Sequence, residues 1–313
     1  AQAPQEPAKP AAPPVNMDES LLSEAEKKAV ETTPEQSSKI EQKEEAKNLK
    51  DAFKKDFKVG VAINPYQLKD EETKKIILEN FNSITMENGM KPEAILDQRA
   101  SENSKDGMPA INEENLAECL SLAKDNGLVL RGHCLVWHNQ TPEWFFCEKY
   151  DAGNAKVNKE TMKKRMESYI KKVLSFCQEK YPGVVYAWDV VNEACDDGGG
   201  YRTSSLWYEI YGDESYIEDA FTFARKYADK DVKLFYNDYN EYMPSKVSTI
   251  AELVKKLYDK KLIDGVGFQS HWDMNYPDTG MISDAMQKYS EIGDLEIQFT
   301  EVDMHNTDDS EEG

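Results

Sequence analysis

The chain has 313 residues, 39% of them hydrophobic, and a formal net charge of −21. That is enough apolar content for one large core with a tail. So acidic a surface repels phosphate backbones, which excludes nucleic acid as a partner class, and no apolar run approaches the roughly 20 residues that span a bilayer, so no membrane partner is expected. Residues 1–14, "AQAPQEPAKPAAPP", read as a semi-rigid linker or a segment that follows a cleaved signal, and residues 18–50 are dense in Glu and Lys with too few large apolar groups to build a core. The expected division is a tail or linker over residues 1–48 and one folded domain over 49–313, opening on "LKDAFKKDF" as a short amphipathic helix.

From there strands and helices alternate. Strands are expected at 58–63, 82–88, 128–137, 184–193, 232–240, 263–272 and 295–304, and helices at 71–81, 112–127, 158–181, 214–228, 245–260 and 281–293. The strands are continuous apolar runs rich in β-branched residues, and the helices carry apolar positions three and four apart. Strict alternation at roughly 30 residues per unit predicts an α/β fold, a (β/α)8 TIM barrel, and not a doubly wound sheet. No GxGxxG turn follows a strand, which weakens a dinucleotide-binding alternative. About seven βα units are present, and an eighth strand and helix are not seen.

In such a barrel, functional groups gather at the carboxyl ends of the strands. Here those ends carry Glu87, Asn88 and Lys91 on the second strand, and His133, Trp137, His138 and Gln140 on the third. They carry Asn192 and Glu193 on the fourth, and Asn237, Asp238, Tyr239 and Asn240 on the fifth. Gln269, His271 and Trp272 end the sixth strand, and Glu301 and Asp303 the seventh. One Glu at a strand end is ordinarily a solvated loop residue, but seven such ends converge on one face. Glu193 and Glu301, on strands that face each other across the barrel mouth, form the pair that glycosidic cleavage needs. One carboxyl protonates the leaving oxygen while the other attacks the anomeric carbon or activates water.

Rival chemistries are weaker. His133 and His138 are five residues apart, on opposite faces of a strand and its loop. H-E-x-x-H is absent, so no metal site is expected and no cofactor is required. No Ser occupies a G-x-S-x-G elbow. Five cysteines without CxxC spacing, Cys119, Cys134, Cys147, Cys177 and Cys195, are expected as buried free thiols. Trp137, Trp144, Trp207 and Trp272 lie at or after strand ends, where flat faces stack on pyranose rings; Trp188, and on the same grounds Trp207, also fits plain core packing.

At these residues the chain resembles the glycoside hydrolase family 10 enzymes, the endo-β-1,4-xylanases. The matching segments are "TMENGMKPE" (85–93), "LRGHCLVWHNQTPEWF" (130–145), "WDVVNEA" (188–194), "LFYNDYN" (234–240), "GVGFQSHW" (265–272) and "FTEVDM" (299–304), in the family's order. The resemblance implies hydrolysis of internal β-1,4-xylosidic bonds by a retaining double displacement, with Glu193 as acid/base and Glu301 as nucleophile. It also implies that Asn192 bonds the sugar 2-hydroxyl, that His271 orients Glu301 with Gln269 beside them, and that Asp303 supports His271. Glu87, Asn88, Lys91, His133, Trp137 and Gln140 match positions lining the sugar sites on the non-reducing side, and Tyr239 contributes on the reducing side. The partners so implied are xylan and xylo-oligosaccharides, with a carbohydrate-binding module linked outside this chain as a further expectation, and secretion follows from the polymeric substrate.

The chain departs from the family at its end, where the eighth strand and its tryptophan-bearing loop have no counterpart. Truncation, supply of the missing unit by another chain or by the N-terminal tail, and tolerance of the gap are the three expectations. Two alternatives to the xylanase reading follow: a non-catalytic xylan-binding barrel, and a related barrel β-glycanase acting on cellulose or mixed glucans.

Overall fold

The computed structural model describes residues 47–306. The expected tail, residues 1–48, lies outside these save its last two residues. Among the described residues the chain folds into parallel strands alternating with helices. The strands are β1 (Gly60–Ile63), β2 (Ser83–Met86), β3 (Val129–Trp137), β4 (Val185–Asn192), β5 (Lys233–Asp238), β6 (Gly265–Phe268) and β7 (Glu296–Phe299). They form one seven-stranded sheet in sequence order, every pair parallel. The helices between them are α1 (Glu71–Asn80), α2 (Glu113–Asp125), α3 (Lys159–Lys180), α4 (Ser215–Tyr227), α5 (Pro244–Asp259) and α6 (Thr279–Ser290).

Helix starts follow from local chemistry. Asp70, Asn112, Asn158 and Asp278 each accept a backbone N–H three residues ahead, satisfying one of the donors a first turn leaves orphaned. Helix α2 ends at Asn126, and Gly127 follows at φ +67°, the left-handed stop for which glycine has no steric penalty.

The sheet curls. Arg131 on β3 donates to Gln298 on β7 and lies over the ring of Phe235 on β5. In a flat sheet, strands four steps apart would be about 19 Å from each other. Strands β3 and β4 are buried almost throughout, whereas β1 and β7, at the two ends of the sheet order, are exposed or half-buried at every position but Ile63. Gly132 has its place here because a Cβ would fall 2.4 Å from the ring of Trp188.

Two expected strands are each broken in two. The run 263–272 divides at Ser270, whose φ of +63° turns the chain out of the sheet. The run 295–304 divides after Phe299. Beyond both breaks, His271–Asp273 and Asp303–His305 pair as a small parallel ribbon above the barrel. An apolar run does not distinguish one strand from a strand plus a re-aimed extension, because both satisfy the same burial pattern. All five cysteines are free and buried, as expected.

Candidate active site

Above the apolar barrel interior lies a layer of buried polar side chains: Arg131, His133, Asp189, Asn192, Asn237, Asp238 and Gln269 are each no more than 6% exposed. Buried polar groups persist where they bond one another, and here the bonds converge on two carboxylates. Asn237 Nδ2 donates to Glu301 Oε1 at 2.9 Å and to Asn192 Oδ1 at 2.9 Å. Asn192 Nδ2 reaches Glu193 Oε1 at 3.1 Å. Gln269 Nε2 donates to the same Glu193 oxygen at 3.0 Å and to Asn192 Oδ1 at 3.2 Å. Glu193 and Glu301 are thus joined through only two carboxamides.

Backbone geometry delivers these groups. Glu193 has φ +55°, and its N–H donates to Asn237 O on the neighbouring strand at 2.9 Å. Gln140, Asn240 and Ser270 also stand at positive φ just past strand ends. A non-glycine residue in that region costs of order 1 kcal/mol or more and persists where the surroundings over-determine it, which is common at functional sites.

The two carboxylates differ in surroundings. The Glu193 side chain is 13% exposed and that of Glu301 30% exposed. Burial alone would raise Glu301. A hydrogen bond from His271, the charge of His133 and the amide of Asn237 outweigh it and hold the carboxyl below its ordinary value. His271 Nε2 lies 3.4 Å from Glu301 Oε2, and Nδ1 2.7 Å from Asp303 Oδ2. Its bond to Glu301, with Asp303 added and against partial burial, pushes His271 up to about 9. His133 Nδ1 is 3.0 Å from Asp189 Oδ2 and 3.9 Å from Glu301 Oε1. Asp189 is pinned in turn by Arg131.

His138 Nε2 is 3.9 Å from Glu193 Oε2. Burial first, then the charge of Arg202, lower its pKa against the pull of Glu193, so the imidazole is neutral at neutral pH. The two histidines therefore serve different carboxylates, His133 beside Glu301 and His138 beside Glu193.

The remaining sequence-predicted residues fall into two groups on either side of the pair. Asn88 Oδ1 accepts from Lys91 Nζ at 3.2 Å and Gln140 Nε2 at 3.3 Å, and Lys91 sits 5.3 Å from the ring centroid of Trp137. Glu87 is exposed at the same strand end. On the other side, Arg202 donates to the Tyr239 hydroxyl at 3.0 Å, which lies 3.2 Å from Asp197 Oδ2. Lys246, wholly buried, stands 3.5 Å from the Tyr239 ring centroid and binds Asp238 and Asp197.

Trp207 and Trp144 do not belong to the candidate sugar surface. Trp207 is 1% exposed, packs edge-on against Phe146 and donates its N–H to Trp137 O at 3.0 Å. Trp144 packs edge-on against Phe145 and Tyr150. Phe145, in the segment between β3 and α3, touches both rings, the half-buried Trp144 and the buried Trp207. Sequence reasoning named Asn237 and His138 at the strand ends without giving either a role, and left out Arg131 and Asp189. The last two carried a signal, opposite charges inside otherwise apolar strands, and the register sets His133 beside Asp189.

Residues 48–313 match the sequence model described as Glycosyl hydrolase family 10. The endo-1,4-beta-xylanase B of Butyrivibrio fibrisolvens is 48% identical over 269 residues, 85% of this chain and 42% of that protein, so the chain spans less than half the length of that curated relative. Among solved structures, the CBM22-1–GH10 modules of the Clostridium thermocellum N-terminal endo-1,4-beta-D-xylanase 10B, complexed with xylohexaose, superpose with a TM-score of 0.76 at 40% identity. That match covers 82% of this chain and 52% of that one. The intracellular xylanase of Thermoanaerobacterium saccharolyticum superposes with a TM-score of 0.75 at 34% identity, covering 86% and 81%. With its alternating parallel barrel strands and a family match over most of its length, the chain belongs to glycosyl hydrolase family 10.

Proposed function

We propose that the protein is an endo-β-1,4-xylanase that hydrolyses internal bonds of xylan with retention of configuration. The observation that carries this reading is the joined pair, Glu193 and Glu301, at the ends of β4 and β7 and bridged by Asn192 and Asn237. Retaining glycosidases hold their two carboxyls close, with no room for a water between them and the sugar.

In the first step Glu193 gives its proton to the leaving glycosidic oxygen while Glu301 attacks the anomeric carbon. The bond to the leaving sugar breaks and an ester to Glu301 forms. In the second, Glu193, now ionised, takes a proton from water, whose oxygen displaces Glu301. The lowered pKa of Glu301 supports the role of nucleophile, since it is ionised when substrate arrives. His271, raised to about 9, keeps its proton through neutral pH and goes on donating to Glu301. Asn192 would hold the sugar 2-hydroxyl; its burial and its bonds from Asn237 and Gln269 support that role. Glu87, Asn88, Lys91, Trp137 and Gln140 would line the non-reducing side and Tyr239 the reducing side, with Asp303 supporting His271.

The test is reducing-sugar release from xylan against carboxymethyl-cellulose, with the anomeric form of the first product followed by NMR. Release from xylan with β-product first is the expected result. Preference for cellulose, or α-product first, overturns it. Secretion and a linked carbohydrate-binding module remain part of this proposal. Fractionating the source cells for the protein and sequencing the reading frame on both sides of this segment test them.

A further inference from the structure

Tyr276 is 45% exposed, yet its position is fixed from two sides. Its backbone is clamped to Asp273, with Asp273 N donating to Tyr276 O at 2.8 Å and Tyr276 N to Asp273 O at 3.1 Å. Asp273 ends the same short strand that begins at His271, which bonds Glu301. The ring meets that of Tyr242 edge to face, centroids 5.6 Å apart at 77°. Tyr242 is itself 6% exposed, and its hydroxyl donates to Asn240 Oδ1 at 3.3 Å, next in sequence to Tyr239. A T-shaped contact occupies at most one face of a ring, and with 45% of Tyr276 exposed its ring keeps surface open to a ligand.

The direction of this aromatic run is set by the topology. The carboxylates stand on β4 and β7, and the Asn88, Lys91 and Gln140 group on β2 and β3. Tyr239, Tyr242 and Tyr276 follow β5 and β6. A line from the loops of β2 and β3 to the loops of β5 and β6 crosses the line between the two carboxylates. A sugar chain that lies over the first group and presents a bond to the pair must therefore leave past Tyr239 toward Tyr276. We propose that Tyr276 is a distal stacking platform on the reducing side, taking the face of a xylose ring beyond the unit that Tyr239 flanks. This rests on the xylanase reading. A rigid, solvent-facing ring suits that task because little side-chain freedom is lost on binding.

The experiment compares wild type, Tyr276→Ala and Tyr276→Phe on xylohexaose and on an aryl β-xylobioside, whose leaving group occupies only the nearest reducing-side position. Tyr276→Ala should lower kcat/KM on xylohexaose about three- to tenfold and move cleavage toward the reducing end. It should leave the aryl xylobioside unchanged, and Tyr276→Phe should behave as wild type on both. Unchanged rate and product pattern on xylohexaose overturns the platform while leaving the xylanase reading intact. So does an equal loss on both substrates, which would mark a disturbed site. If the wild-type chain cleaves neither xylan nor xylohexaose, the xylanase reading fails. Calorimetric titration with xylohexaose then decides the platform separately: weaker binding by Tyr276→Ala retains it as a xylan-binding surface, and equal or absent binding ends it.

Discussion

The side-chain amide of Asn237 donates to Glu301 at 2.9 Å, and the same nitrogen donates to Asn192 at 2.9 Å. One buried nitrogen thus holds the nucleophile candidate and the support of the acid candidate in a common frame. Asn237→Ala takes one donor from each of two acceptors, leaving Asn192 Oδ1 to Gln269 and Glu301 to His271, a loss of about 1–3 kcal/mol in stability, readable as a lower denaturation midpoint. Asn237→Asp puts a like charge against Glu301. The acid limb of its pH–rate profile should move to higher pH, since a neighbouring carboxylate disfavours ionisation. An unmoved limb would mean that Glu301 does not govern it.

Stereochemistry separates the two carboxyls. With azide added, Glu301→Ala should yield an α-glycosyl azide, because the anion attacks once from the vacated side. Glu193→Ala should yield a β-glycosyl azide, because the glycosyl ester still forms first. Glu193→Ala should also slow xylan hydrolysis about 10²–10⁴-fold and affect activated aryl glycosides far less in the first step. NMR of the azide adducts reads the result, and interchanged products would reverse the assignment.

His271 links activity to pH. Its folded pKa, about 9, lies above the ordinary 6.5. Its contribution to stability is therefore complete below about 6.5 and is lost as pH rises through 9. His271→Asn should flatten the decline in melting temperature over that window. It should also move the acid limb of the rate profile upward, because Glu301 loses the donor that holds its pKa down. A melting profile that still declines between these values would assign the slope to other groups.

Glu241 is fully buried, and neither carboxylate oxygen has a hydrogen-bond partner among the described residues. Burial raises it to about 7, and Asp238 nearby is raised by burial to about 6 in spite of Lys246. Both shifts have the same sign. The protonated forms favour the fold, so the contribution of these two groups to stability is complete below about pH 4 and is lost as pH rises through 6 to 7. Glu241→Gln removes one of the two titrations. Its melting temperature should fall less between pH 5 and 8 than that of the wild type, and a parallel decline would exclude Glu241 as a source.

The strand–helix alternation was legible because parallel strands buried on both faces must be continuous apolar runs, as β3 and β4 are. The carboxylate pair was legible because strand ends in a barrel share one face. The bridging role of Asn237 was not, because an amide one residue before Asp238 carries no mark of pointing inward when its neighbours are also polar. Trp207 stayed open between stacking and core because an aromatic after a strand end looks the same whether it faces substrate or, as here, packs against Phe146 of the β3–α3 loop. The break at Ser270 depends on a backbone angle, which periodicity does not encode.

The left-handed corners at Gln140, Glu193, Asn240 and Ser270 have a consequence for how this cleft tolerates change. β-Branched residues are excluded there by the main chain alone, before any question of chemistry arises. Glycine would relax the corner yet deliver no side chain. In a saturation library, Asn240 and Ser270 should accept Gly, Asn and Asp and reject Val, Ile and Thr, the pattern of a turn. Glu193 should accept Gly or Asn for folding and neither for turnover, so that foldedness and activity come apart at a single position.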